Sequence, residues 1–94
     1  MQPEHPAPQW NDTESELFVR YGDVFVPERA AQIATIAALI PPRDGPCTVL
    51  DLCCGEGLLA EAILERHSHA VVYGFDGSTA MLERARARLE RFGD

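Results

Sequence analysis

Apolar residues recur along this chain with two different periods, and the change of period marks its elements. Asp12 or Thr13 suits a helix cap, and Glu14 and Glu16 follow where the positive end of a helix dipole favours acids. This predicts a short helix from Thr13 to about Tyr21, broken by Gly22 and Asp23. Pro27 fits the first turn of a second helix, with Glu28 beside it. Ala30, Ile33, Ala34, Ala37 and Ile40 then recur at helical spacing and give that helix one apolar face, which Pro41 and Pro42 end.

Arg43 to Pro46 reads as a turn, after which the period changes. Cys47 to Cys53 is nearly continuously apolar and partly β-branched, the mark of a strand buried on both faces. A tight loop over Cys54-Gly55-Glu56-Gly57 leads into a helix from Leu58 to about His67, with Leu59, Ala62 and Ile63 on its inner face. Ala70 to Phe75 is a second strand, closed by Asp76-Gly77. Ser78 caps a last helix whose buried stripe is Leu82, Ala85, Leu89 and Phe92. The order helix–helix–strand–helix–strand–helix predicts an α/β fold with parallel strands joined by a right-handed βαβ crossover. Residues 1–12, with Pro3, Pro6 and Pro8 among polar neighbours, read as a flexible tail. Residues 13–94 read as the folded part.

Composition narrows the partners. The chain has 94 residues, 46% hydrophobic and 24% charged, which is the balance of an ordinary globular domain. Its net charge of −7 argues against nucleic acid or an anionic membrane, since both need a positive surface. No apolar run approaches the roughly 20 residues of a membrane-spanning helix. The N-terminus lacks a basic segment followed by an apolar run, and a cytoplasmic location is expected. Cys47, Cys53 and Cys54 lack metal-ligand spacing, so no metal site is expected. Cys53 and Cys54 are read as packed thiols. His67 and His69 are read as residues of a helix end, and Arg84, Arg86, Arg88 and Arg91 with Glu83 and Glu90 as a solvated helix face.

Candidate chemistry concentrates in Val49 to Gly57. A glycine-rich bend between strand and helix lets a ligand approach the backbone, because no Cβ stands in the way. Gly55, Gly57 and Ala60 make a G-x-G-x-x-A string, and Asp76 stands at the end of the next strand, a spacing that dinucleotide sites share. Charge separates the two ligands. A pyrophosphate is repelled by acids such as Glu56 and Asp51, whereas a cationic nucleoside with an ammonium, a sulfonium and ribose hydroxyls is favoured by them.

Leu50-Asp51-Leu52-Cys53-Cys54-Gly55-Glu56-Gly57 resembles the first signature of class I S-adenosylmethionine-dependent methyltransferases, acid-x-Gly-x-Gly-x-Gly, with Cys53 in place of the first glycine. Phe75-Asp76-Gly77-Ser78-Thr79-Ala80-Met81-Leu82 resembles the second. The likeness runs from about Phe18 to Phe92 and implies an incomplete Rossmann-like methyltransferase fold that binds S-adenosyl-L-methionine. It implies that the backbone of Cys53, Gly55 and Gly57 lines the methionine portion and that Asp51 organises the loop and the ammonium. It also implies that Asp76 takes the ribose hydroxyls, with Gly77, Ser78 and Met81 flanking ribose and adenine. Tyr21 resembles an aromatic of the family's N-terminal helix that covers the cofactor.

The family sheet has seven strands and this chain supplies two. A missing C-terminal half, or a homo-oligomer, is expected to complete the sheet and to carry the acceptor, for which a small molecule is expected. No catalytic residue can be named. A non-catalytic Rossmann-like association or regulatory module, and a fragment of an NAD-dependent oxidoreductase, are the alternatives.

Overall fold

The computed structural model describes residues 11–42 and 44–93. Most of the predicted tail lies outside them. The order is α1 (Asp12–Phe25), α2 (Arg29–Leu39), β1 (Cys47–Leu52), α3 (Leu58–Arg66), β2 (Ala70–Phe75) and α4 (Thr79–Leu89), closed by a 3₁₀ turn at Glu90–Phe92. This is the expected α/β order, and β1 and β2 pair in parallel, from Cys47 opposite Ala70 to Leu52 opposite Phe75.

The helix starts differ from expectation in detail. The cap of α1 is Asn11, whose Oδ1 accepts from Glu14 N at 2.8 Å while its Nδ2 donates to Glu14 Oε1 at 3.1 Å. The two residues satisfy each other in the manner of a capping box. Gly22 does not break α1. The helix kinks at Tyr21 (φ −117°, ψ 19°) and continues to Phe25. Val26 N still bonds Gly22 O at 2.8 Å. Gly22 is buried, and the Arg29 guanidinium packs where its Cβ would be, so glycine at this position admits a close neighbour. Pro27 precedes α2 and Glu28, at φ +61°, is its N-cap.

Alternation along the strands sorts the sheet into two unlike faces. Cys47, Val49 and Asp51 share the inner face with Ala70, Val72 and Gly74, and there Ala37 of α2 and Ile63 of α3 close the core. On the other face Leu50, Leu52, Val71, Tyr73 and Phe75 are all about half exposed or more. A groove of about 800 Å³ also runs between β2 and α4, lined by Val72, Gly74, Leu82, Ala85 and Phe92 among others. A covered layer on one side and an open apolar one on the other describe a sheet that is half clad among the described residues.

Opposite charges fasten α4 and the 3₁₀ turn to α3 and the loop that precedes it. Arg88 Nη2 meets Glu56 Oε1 at 3.1 Å and its Nη1 meets Glu61 at 3.5 Å, while Arg91 meets Glu61 at 3.3 Å and Glu65 at 2.7 Å. Two members of the arginine run expected to be a solvated face therefore clamp neighbouring elements together.

Candidate functional site

Both strands run in the same direction, so their C-terminal ends bring the two acidic loops together at one edge of the sheet. The first loop reverses direction through three left-handed residues in alternate positions: Cys53 (φ +57°), Gly55 (φ +57°) and Gly57 (φ +88°). Glycine tolerates this region freely; a residue with a Cβ costs about 1–2 kcal/mol there. Gly57 is needed twice over, since a Cβ on it would stand 3.2 Å from Ala85 Cβ in α4. Gly55 faces the other way, with no described atom within 4 Å of its missing Cβ, and the same is true of Gly77 in the second loop. Strand β1 ends at Leu52, so Cys53 belongs to the turn and not to the strand.

Asp76 joins the loops. Its Oδ2 accepts from Gly55 N at 2.9 Å and its Oδ1 accepts from Ser78 N at 2.8 Å. Cys54 N is bonded to Phe75 O at 2.9 Å and Gly57 N to Cys54 O at 3.1 Å. Three amides of the bend are thereby used within the protein, one of them by a carboxylate, and a phosphate would compete with that carboxylate for its donor.

Asp51 lies deeper. It is 8% exposed, on the inner face opposite Gly74, and its buried Oδ2 has no hydrogen-bond partner among the described residues. Loss of water pushes its carboxyl above the usual carboxylate range. Cys54 Sγ occupies the space beside Gly74, within 2.9 Å of where a Cβ would be. Burial, followed by the neighbouring Asp51 and Asp76 carboxylates, pushes that thiol up as well. Cys54 is packed against Gly74, whereas Cys53, also expected to be packed, is exposed because it lies in the turn beyond the end of β1.

The other expected residues divide. Ser78 caps α4, accepting from Met81 N at 3.2 Å, and is 3% exposed. Met81 is 4% exposed and packed in the interior. Tyr21 sits at the kink of α1, exposed, with the Arg20 guanidinium 6.0 Å from its ring centre. Glu56 departs from the charge argument made for it. It turns to Arg88, which donates from Nε to its carbonyl and from Nη2 to its carboxylate, both at 3.1 Å. Its charge is therefore balanced on the α4 side through Oε1, while its Oε2 is buried without a hydrogen-bond partner among the described residues. The acids that shape this edge are Asp51 and Asp76.

Ser15 was missed. It is 1% exposed, and its Oγ lies 2.8 Å from Ser78 Oγ. The sequence held a signal for it. Ser15, Phe18, Val19 and Gly22 follow at helical spacing, and two small residues at the ends of such a stripe mark a face where another element comes close.

A family model for the methyltransferase domain matches residues 49–93, a span holding both loops. The chain is 40% identical to the trans-aconitate 2-methyltransferase of Methylobacterium radiotolerans, over 87% of this chain and 28% of that relative. It is 35% identical to the enzyme of that name from Streptomyces avermitilis, over 86% of this chain and 28% of the relative. For the one from Azoarcus the figures are 34%, 87% and 29%. The match over residues 49–93 and the likeness to these enzymes support a class I S-adenosylmethionine-dependent methyltransferase. Likeness over 87% of its length takes in α1 and α2 as well as the loops, so the N-terminal helices are part of the methyltransferase pattern. The chain spans between a quarter and a third of the length of the curated relatives it matches. S-adenosylmethionine is the family's methyl donor, and the residues present fit it. A desolvated carboxylate lacks a partner at Asp51, open space lies over Gly55 and Gly77, and a second carboxylate ends β2.

Proposed function

We propose that this chain forms the S-adenosylmethionine seat of a methyltransferase whose acceptor is a small molecule. The observation that carries the reading is the bond between Gly55 N and the Asp76 carboxylate, which ties the glycine bend to the acid ending β2. Each carboxylate oxygen of Asp76 accepts one backbone bond and keeps a further lone pair, so ribose hydroxyls can be received without breaking the link. Asp51, short of a partner and buried, attracts the ammonium of the methionine portion. The backbone of Cys53, Gly55 and Gly57 lines that portion, Gly77 and Ser78 lie beside the ribose with Met81 packed beneath the adenine side, and Tyr21 covers the cofactor from α1.

When bound, S-adenosylmethionine supplies an electrophilic methyl group on a sulfonium. The chain's own residues hold and orient the donor, and rate comes chiefly from placing an acceptor in line with that methyl. The acceptor side belongs to the remaining sheet and loops, which we place on the open face of Leu50, Leu52, Tyr73 and Phe75 and along the β2 groove. The relatives are named for trans-aconitate, a small organic acid, and this favours a small acceptor over a macromolecule. No helix among the described residues is long and apolar enough to cross a membrane. We place the enzyme in the cytoplasm, in keeping with three free cysteines.

Calorimetric titration of the purified protein with S-adenosylhomocysteine and with NAD tests the reading. Binding of the first and not the second is expected. Binding of NAD alone refutes the cofactor assignment, and binding of neither supports a non-catalytic association module.

A further inference from the structure

Ser15 is far in sequence from both signature loops, yet it meets the second of them. Its hydroxyl and that of Ser78 are 2.8 Å apart, and the two residues are 1% and 3% exposed. Two hydroxyls sealed from water must satisfy each other. Ser78 Oγ also accepts from Met81 N at 3.2 Å, Ser78 N donates to Asp76 Oδ1 at 2.8 Å, and Asp76 Oδ2 accepts from Gly55 N at 2.9 Å. A continuous set of bonds thus runs from α1 through the cap of α4 and the acid of β2 to the glycine bend.

We propose that Ser15 is a positioning residue for the cofactor: through Ser78 it fixes the Asp76 carboxylate at the ribose, and so couples the docking of α1 to occupancy of the site. This rests on the reading that Asp76 receives the ribose. The physical basis is the position of Ser78. Its backbone N–H holds one oxygen of Asp76 while its side chain is held by α1, so a shift of α1 moves a ligand of the carboxylate directly. The coupling is reciprocal, since whatever α1 does for the ribose the bound ribose does for α1. α1 also carries Tyr21, six residues beyond Ser15, at the kink of that helix.

Ser15→Ala removes one oxygen from a packed position and leaves the helix propensity favourable. A general loss of packing would weaken every ligand alike, so the informative quantity is how much the ribose hydroxyls are worth. In the parent protein, S-adenosylhomocysteine should bind more tightly than its 2′,3′-dideoxy analogue. In Ser15→Ala the parent ligand should bind about two- to tenfold more weakly, and the advantage over the analogue should shrink by the same factor. As a measurement free of any substitution, S-adenosylhomocysteine should slow amide exchange in α1 more than the dideoxy analogue does. An unchanged ratio between the two ligands in Ser15→Ala, or equal protection of α1 by both, would overturn the coupling while leaving the cofactor assignment intact. Failure of the parent protein to bind S-adenosylhomocysteine would overturn the cofactor assignment, and the coupling with it.

Discussion

Replacing Asp76 with asparagine isolates the bridge between the two loops. The substitution keeps the shape of the side chain and changes what its two terminal atoms can do. At present Oδ2 receives Gly55 N at 2.9 Å and Oδ1 receives Ser78 N at 2.8 Å, so both positions must accept. Asparagine offers one acceptor and one donor, and whichever way its amide turns, one backbone N–H faces an NH₂ group. A backbone bond to a charged acceptor contributes about 1.5–3 kcal/mol and a neutral one about half of that. Asp76→Asn therefore forfeits one bond and weakens the other. Asp76 is only partly buried, and water replaces some of what is lost, which brings the expected destabilisation to about 1–3 kcal/mol. Urea unfolding reads this directly, with Asp76→Ala as the reference. Asparagine should be no better than alanine, and both should lose affinity for S-adenosylhomocysteine. An asparagine variant within about 0.5 kcal/mol of the parent, with alanine clearly worse, would refute the claim that both oxygens act as acceptors.

Asp51→Asn should behave in the opposite sense. Burial holds the Asp51 carboxyl above its ordinary value of 3.8, so the folded protein retains this proton more tightly than the unfolded chain does. The pH-dependent cost of burying the group is therefore absent below 3.8, grows as pH rises from 3.8 to the raised folded value, and is constant above it. Stability of Asp51→Asn relative to the parent should climb over that window while cofactor affinity falls; a difference that stays flat with pH would contradict the account. Gly57→Ala should lose about 2–3 kcal/mol in urea unfolding, from left-handed backbone and from contact with Ala85, and a loss under about 0.5 kcal/mol would show that α4 yields easily.

The parallel βαβ unit was legible because β1 and β2 are short apolar runs set between helical stripes, and Ser78 was legible as a cap because its hydroxyl serves an N–H three residues on. Both signals are local. The course of α1 past Gly22 was not, since glycine there answers to the Arg29 guanidinium and not to a turn. Acids at this edge favour a cationic ligand, but Glu56 shares its charge with α4. Glu56 stands between the glycines in sequence but is claimed by Arg88, which lies 32 residues later, whereas Asp76, credited only with ribose, is what occupies the loop amide. Ser15 escaped notice because a single serine among acids reads as a solvent-facing position; only the meeting of α1 with α4 buries it.

The most direct test of the central claim is a structure of the protein with S-adenosylhomocysteine bound. The ribose hydroxyls should lie within hydrogen-bond distance of the Asp76 carboxylate, with the bond from Gly55 N retained and the methionine portion along Cys53 to Gly57. A ligand seated elsewhere, or a ribose held by other groups while Asp76 stays turned to the backbone alone, would contradict it.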